Sequence, residues 1–228
     1  MDRRETIVFD FDRTLTTFDT TLDFFQFCGR KKSFFLLRYY LYLFLWLMQK
    51  LELISNLQLK NWGVKLFIQP YHTEEMHQLA KEFSSRIKLN QIYDYNFKNE
   101  CSNARVIIVS AAFKIFLEQL FPNIEIIATS LAIKEGRYFK IEEHIYGEKK
   151  AFKLLEKGVD KIDRIYTDSK SDLSMALMSA ECYLVVNSKI KSITSNSCFD
   201  HACENTLKSK KIDYWSILFC RYQNLGLK

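Results

Sequence analysis

The stretch Thr6-Ile7-Val8-Phe9-Asp10-Phe11-Asp12-Arg13-Thr14 decides the fold. Its first four residues are apolar or β-branched and predict a short buried strand. Asp10 and Asp12 follow at positions i and i+2, so both carboxylates leave the strand end on the same side, about 7 Å apart. Open α/β sheets place their active sites beyond the carboxyl ends of strands. Like charges this close raise each other's pKa, which favours a cation site or a chemical role over simple helix capping.

Composition excludes several classes of protein. The chain has 228 residues, of which 48% are hydrophobic and 15% aromatic, and this is enough to fill a core. Only six glycines and two prolines argue against a loop-rich all-β fold. The net charge of +6 suits an anionic substrate or a membrane surface. It is too weak and too dispersed to indicate a nucleic-acid partner.

The cysteines and the first residues indicate the compartment. The six cysteines contain no C-x-x-C pair and no metal-finger spacing, which is typical of reduced thiols. The first ten residues are charged and then become a strand, unlike a signal peptide. We therefore expect a cytoplasmic protein, and the basic charge leaves a peripheral position at the inner membrane surface open.

Four later apolar runs complete a predicted sheet. They are nearly continuous rather than alternating, as in strands that are buried on both faces. These runs are residues 105–110, 124–129, 164–167 and 182–187. Predicted helices over 113–120, 149–156 and 173–180 separate them, and 134–137 reads as a hairpin turn. This alternation predicts an α/β fold with a Rossmann-like, doubly wound parallel sheet, formed by residues 1–16 and 96–228. A further terminal helix is predicted near residues 214–219.

Residues 17–95 interrupt the alternation and are helical by pattern, so we expect an inserted helical cap domain over the strand ends. Within it, residues 34–48, from Phe34 to Met48, are apolar on every face except at Arg38. A helix of this length reaches about 22 Å, short of the roughly 30 Å needed to cross a bilayer. Two interpretations stay open: the helix is buried between cap and core, or one face contacts lipid or a lipid-like substrate.

Polar groups follow two further strands at the same predicted edge of the sheet. Ser110 ends the second strand, and a helix start after it would offer a hydroxyl and free backbone N–H groups, such as that of Ala111, to an anion. Asp168 ends the fourth strand, and Asp172 follows in the first helical turn, where capping alone could explain it. Asp10, Asp12 and Asp168 together make an oxygen-rich cluster of the kind that Mg²⁺ selects.

Two adjacent lysines open the helix after Gly147. Lys149 shares a helical stripe with Lys153 and Lys157, which indicates a solvated face. Lys150 shares a stripe with Leu154, which must face the sheet. We therefore favour Lys150 as the functional lysine, with Lys149 as the alternative.

The order of these motifs resembles the haloacid dehalogenase superfamily of phosphohydrolases. Asp-x-Asp-x-Thr, a strand-end Ser, Gly-Glu-x-Lys and Asp-Ser-x-x-Asp follow one another over residues 5–187. The similarity is greatest to the phosphoserine phosphatase branch, which carries a helical cap between the first and second motifs. The resemblance implies a Mg²⁺-dependent phosphatase that works through an aspartyl-phosphate intermediate.

The resemblance also implies residue roles. Asp10 would be the nucleophile, and Asp12 the general acid and base. Mg²⁺ would bind the carboxylates of Asp10 and Asp168 and the backbone carbonyl of Asp12. Asp172 would orient the lysine or metal-bound water. The expected phosphate-binding residues are Thr14, Ser110, Ala111 and Lys150.

The substrate is less determined. Asp19 stands where phosphoserine phosphatases carry a Glu that meets the substrate amine, which weakens the case for phosphoserine without excluding it. The aromatic segment 34–48 suits an apolar substrate, so a lipid phosphate of the phosphatidylglycerophosphate type is an alternative to a small phosphorylated metabolite. A phosphotransferase would use the same residues. A binding protein that has lost the chemistry is disfavoured, because no carboxylate of the motifs is missing.

Overall fold

A seven-stranded sheet with the order β4-β3-β2-β1-β5-β6-β7 forms the centre of the fold, in a computed structural model that describes residues 4–193. The five central strands are parallel, and the edge strands β4 and β7 pair antiparallel with β3 and β6. The strands are β1 Thr6–Phe9, β2 Arg105–Phe113, β3 Glu125–Lys134, β4 Arg137–Glu143, β5 Ile162–Thr167, β6 Ser179–Val186 and β7 Lys189–Ile193.

Strand β1 lies in the middle of the sheet, and all four of its residues are buried. Ile7 and Phe9 face one hydrophobic core, while Val8 faces the other. Phe9 stacks on Tyr166 of β5, with ring centroids 4.4 Å apart. Both faces of the sheet are therefore covered, as expected of a doubly wound sheet. The predicted Rossmann-like α/β fold is confirmed.

Helices fill the connections between the strands. Between β1 and β2 lie α1 to α5 and two π-helical turns, Val64–Ile68 and Tyr93–Phe97; we call the residues between β1 and β2 the helical insert. The helices are α1 Thr20–Arg30, α2 Phe35–Lys50, α3 Asn56–Gly63, α4 Thr73–Ser84, α5 Lys98–Asn103, α6 Lys114–Leu120, α7 Glu148–Glu156 and α8 Leu173–Ala176. The division into a core and a cap at residues 16 and 96 stays a prediction.

Several element bounds differ from those expected. Strand β3 continues to Lys134 because its second half pairs with β4, across a turn in which Glu135 and Gly136 both have positive φ. Helix α8 ends at Ala176 instead of residue 180, since β6 already begins at Ser179. The helix predicted near 214–219 lies outside the described residues.

Helix α2 packs mainly on other parts of the helical insert, namely α1, α3 and the π-helical turn Val64–Ile68. Gly29 of α1 lets it approach, because a Cβ there would lie 2.8 Å from the Phe35 ring. Within α2 only Tyr42 and Leu45 are buried, while most of its other apolar side chains are exposed. Burial between cap and core, one of the two interpretations of this segment, is therefore wrong. Across residues 4–193, no helix combines the length and apolar character needed to cross a membrane.

Candidate active site

The site forms where the carboxyl ends of β1, β2 and β5 meet. Because β1 pairs with both neighbours, the residues that follow these strands share one edge of the sheet. The backbone N–H of Asp10 donates to the carbonyl of Tyr166 at 2.9 Å, which extends the β1–β5 ladder by one step. The carbonyl of Phe11 then accepts from Thr14, Leu15 and Thr16, so the chain turns sharply after the strand. Asp10 is thereby held at the strand end.

A buried ion network lies at this edge. Lys150 Nζ is 2.8 Å from Asp10 Oδ1 and 2.7 Å from Asp172 Oδ1. All three side chains are almost fully buried, and Thr167 Oγ1 donates to the second oxygen of Asp172 at 2.7 Å. Burial lowers the pKa of Lys150, but Asp10 and Asp172 raise it more, so it stays protonated. Lys149 is exposed. Of the two adjacent lysines, the structure therefore brings Lys150 into the site.

Asp168 follows β5 next to Asp10, and hydrogen bonding with the Asp10 side chain lowers the pKa of the Asp168 carboxyl. Burial raises the pKa of Asp10 well above its ordinary value, against the lowering effect of Lys150. Burial also raises the pKa of Asp168; nearby Asp172 adds to this, and Arg13 opposes it. Burial is therefore the main cause of both raised pKa values, rather than repulsion between these two carboxyl groups.

Asp12 is the second acid of the first motif. Its Oδ1 accepts from the backbone N–H of Thr20 at 2.9 Å and from Thr20 Oγ1 at 2.5 Å. Burial and the nearby Asp19 raise its pKa to about 6, although the bonds from Thr20 lower it. A carboxyl group with this pKa exists in both protonation states near neutral pH, as a general acid and base requires.

The end of β2 differs from the sequence expectation. Ser110 is buried, but no helix starts directly after it: β2 continues to Phe113, and α6 begins at Lys114. A bulge shifts the pairing with β3 between Ser110 and Phe113, which removes Ala111 and Ala112 from the regular ladder. Ser110 Oγ accepts from the backbone N–H of Ala112 at 3.0 Å. The bulge, rather than a helix end, shapes this corner of the site.

Thr14 and Asp19 are the remaining residues that were predicted to bind the substrate. Thr14 is fully buried, and its hydroxyl has no partner. The expected role of Thr14 in phosphate binding stays a prediction. Asp19 is exposed and caps α1, since its Oδ1 accepts from the backbone N–H groups of Thr21 and Leu22 at 3.0 and 3.3 Å.

Sequence reasoning missed Lys60. This residue of α3 is buried, and its Nζ donates to the carbonyl of Ala111. It also lies 5.1 Å from the centroid of the Phe113 ring. Burial lowers its pKa to about 8, against the raising effect of Asp12 and Asp19. The helical insert thus brings a second cation over the acids of the core, and the sequence around Lys60 carries no signal of it.

A metal fits the Asp10 and Asp168 pair. Two carboxyl groups at neighbouring strand ends, each with a pKa raised by burial, are oxygen donors that a divalent cation would hold in the charged form. No group of three His, Cys, Asp or Glu side chains in residues 4–193 converges as a metal site. The set implied by the family resemblance does not need one, because its third ligand is the backbone carbonyl of Asp12. The side-chain Oδ1 of Asp12 accepts a hydrogen bond from the backbone N–H of Thr20.

The sequence matches the model of the haloacid dehalogenase-like hydrolases over residues 7–177. The chain belongs to the haloacid dehalogenase-like hydrolases. This confirms the resemblance drawn from the order of the motifs. No curated protein sequence matches this hydrolase.

Solved structures share the fold of the hydrolase. A protein of unknown function from Bordetella pertussis Tohama I has a TM-score of 0.73 and 17% identity, over 90% of this chain and 97% of that one. A phospho-aspartyl intermediate analogue of phosphoserine phosphatase has a TM-score of 0.56 and 18% identity, over 79% and 86%. Cytosolic 5'-nucleotidase IIIB bound to cytidine has a TM-score of 0.56 and 15% identity, over 98% and 88%. At these identities the likeness shows a common fold.

A cleft of about 440 Å³ opens beside the acids of the hydrolase. Asp168 and Arg13 line it, together with Asn187 and Ser188 in the turn between β6 and β7. The cleft therefore gives solvent a route to the Asp168 side of the site.

Proposed function

We propose that the protein hydrolyses a phosphate monoester in two steps, with Asp10 as the nucleophile. The observation that carries this proposal is the buried network in which Lys150 bridges Asp10 and Asp172, with Asp12 held beside it at a pKa of about 6. A nucleophile, a cation for phosphoryl oxygens and a group that exchanges protons are the three parts that phosphoryl transfer through a carboxylate requires. Membership of the hydrolase family supports the same chemistry.

In the first step an oxygen of the Asp10 carboxylate forms a bond to phosphorus while the bond from phosphorus to the leaving oxygen breaks. Asp12, in its protonated form, gives its proton to that leaving oxygen. In the second step water attacks phosphorus and the bond to Asp10 breaks. Asp12 takes a proton from this water, so inorganic phosphate leaves and both acids return to their starting states.

Two groups would hold the phosphoryl oxygens. Lys150 offsets negative charge at the nucleophile and at the oxygens of the transferring group. Ser110 is buried at the next strand end, and its hydroxyl hydrogen can be donated while its oxygen accepts from Ala112. Asp172 keeps Lys150 in place from the opposite side.

The cofactor that we propose is Mg²⁺. Asp10 and Asp168 would hold it with their carboxylates, and Asp12 with its backbone carbonyl. When bound, the ion would offset the charge of the two acids and of the phosphoryl group. The position of Asp10 and Asp168 at the ends of the neighbouring strands β1 and β5 supports this assignment.

The helical insert would act as the cap that selects the substrate. Lys60 donates to the core carbonyl of Ala111. Tyr42 is also buried, and the nearby charge of Asp19 adds to the effect of burial in raising its pKa. A small phosphorylated metabolite is the preferred substrate class, supported by phosphoserine phosphatase and nucleotidase folds among the similar structures. A lipid phosphate is a second candidate because α2 exposes a large apolar surface. We place the reaction in the cytoplasm, in line with the free thiols of Cys28, Cys101 and Cys182.

The experiment is release of inorganic phosphate from a generic aryl phosphate, with Mg²⁺ or with excess chelator. We expect turnover with Mg²⁺, none with chelator, and recovery when Mg²⁺ is restored. The matched control is Asp10→Asn, which keeps the size of the side chain but is a poor nucleophile and a weaker metal ligand. Turnover by Asp10→Asn with an intact circular dichroism spectrum would refute the nucleophile. Added alcohols separate the alternatives, since a phosphotransferase would yield new phosphate esters.

A further inference from the structure

Helix α2 presents an apolar stripe to solvent. Leu37, Tyr40, Phe44, Leu47 and Leu51 recur at i, i+3, i+7, i+10 and i+14, so they share one face. Their exposed fractions range from 50% for Leu47 to 70% for Leu37. The stripe runs from Leu37 to Leu51, the residue that directly follows the helix, so it is about 21 Å long. We call these five residues the outer stripe.

The opposite stripe of α2 packs on the insert, yet it is the more polar of the two. It contains Tyr42 and Leu45, which are buried, together with Arg38 and Gln49. An ordinary surface helix turns its apolar stripe inward and its polar stripe outward. Here all five residues of the outer stripe are Leu, Tyr or Phe, and each is at least half exposed. Isolated apolar side chains are normal on a surface, but a continuous row of this length marks a surface that another body covers.

The charges around the outer stripe indicate what covers it. No acidic residue lies between Asp23 and Glu52. Arg30, Lys31 and Lys32 lie before the helix, and Lys50 ends it. Lys31 is paired with Glu82 at 2.5 Å, whereas Arg30 and Lys50 are exposed. Cations thus flank both ends of the stripe.

Self-association does not suit this pattern. If a second copy docked antiparallel along α2, the cations before one helix would lie against Lys50 of the other helix. If it docked parallel, the cations before one helix would lie against the same cations of the other, and Lys50 against Lys50. Both arrangements bring like charges together at an apolar contact. An anionic partner meets the same cations favourably.

We propose that the outer stripe docks the protein on the surface of an anionic lipid bilayer. The helix would lie in the plane of the interface, with Leu37, Phe44 and Leu47 among the acyl chains and Arg30 and Lys50 at the headgroups. Trp46 is 46% exposed and has Lys50 Nζ 5.5 Å from its ring centroid, which places an aromatic ring and a cation together as at membrane interfaces. This inference does not depend on the proposed hydrolysis, because binding is measured without turnover.

The test is flotation of the full-length chain with vesicles of phosphatidylglycerol and phosphatidylcholine, or of phosphatidylcholine alone. We expect binding to the anionic vesicles, a blue shift of tryptophan fluorescence, and weaker binding as salt rises from 0.05 to 0.5 M. Phe44→Gln should lower the vesicle partition coefficient about tenfold, since roughly half of an aromatic side chain is newly buried on docking. The matched control is Phe152→Gln on α7, because Phe152 and Phe44 are each 58% exposed. This control should bind as the unaltered chain does.

Three results would overturn the proposal. Equal binding to neutral and anionic vesicles would remove the role of the cations. Equal loss of binding in Phe44→Gln and Phe152→Gln would show that the outer stripe is not the contact. Absence of vesicle binding, together with a dimer in sedimentation that Phe44→Gln dissociates, would assign the stripe to a second copy of the chain. Circular dichroism of both variants checks that each one folds.

Discussion

Replacing Lys150 with methionine tests both the proposed chemistry and the electrostatics of the site. The side chain stays long but loses its charge, so Asp10 and Asp172 remain buried without the cation that lies 2.8 and 2.7 Å from them. At an effective dielectric constant of about 20, each of these ion pairs is worth about 6 kcal/mol before desolvation is counted. Desolvation offsets much of this, and loss of one partner from a buried pair typically costs about 3–5 kcal/mol of stability. We expect a loss in that range at pH 7.

The loss of stability in Lys150→Met should depend on pH. Burial already raises the pKa of Asp10, and without Lys150 its carboxylate takes up a proton still more readily. The protonated acid needs no cation, so the stability difference from the unaltered protein should shrink as the pH falls from 8 to 5. Urea unfolding at several pH values measures this difference.

The matched control is Lys149→Met, which removes an exposed lysine from the adjacent position. We expect kcat/KM of Lys150→Met to fall by about 10²–10³, as for other lost transition-state contacts, and that of Lys149→Met to change little. Similar effects of the two variants on activity and on stability would refute the assignment of Lys150.

Three further predictions concern the acids and the lysine of the helical insert. Asp12→Asn keeps an Oδ1 acceptor for Thr20 but removes a carboxylate whose folded pKa, about 6, exceeds its ordinary 3.8. The cost of this carboxylate to folding grows from about pH 4 to pH 6 and is complete above pH 6. Urea unfolding should therefore show the variant more stable by up to about 3 kcal/mol at pH 7.5, with the gain vanishing near pH 4. Asp168→Asn should raise the Mg²⁺ concentration for half-maximal activity at least about tenfold, and an unchanged value in a metal titration would contradict its role. Burial lowers the pKa of Lys60 to about 8, so the KM of the unaltered enzyme should rise above pH 8 as Lys60 loses its charge. Lys60→Arg keeps its charge, so its KM should stay level. Parallel KM profiles of the two proteins up to pH 9 would exclude substrate binding by Lys60.

The core of the fold could be predicted because its signals are local. The run from Thr6 to Phe9 is apolar throughout, as a strand covered on both faces must be. The inward position of Lys150 could also be predicted from local sequence. Helical spacing places Lys150 on the same face as buried Leu154, and Lys149 on the same face as Lys153. The bulge after Ser110 could not be predicted, because it depends on how β2 pairs with β3.

Lys60 and the outer stripe of α2 show where local pattern stops being informative. Lys60 stands in a mostly polar helix and has the sequence context of a solvated lysine; only the placement of α3 against the carbonyl of Ala111 buries it. In α2, apolar character on every side predicts burial, yet a helix at the edge of a small insert has one side to pack and Tyr42 and Leu45 already occupy it. In each case the decisive contact is with a distant part of the chain or with a body outside it. The insert therefore holds two features that the motifs do not specify: a cation that faces inward to the acids and an apolar face that turns outward. Substrate choice and membrane docking would then be set by the same segment, while the strand ends keep the chemistry.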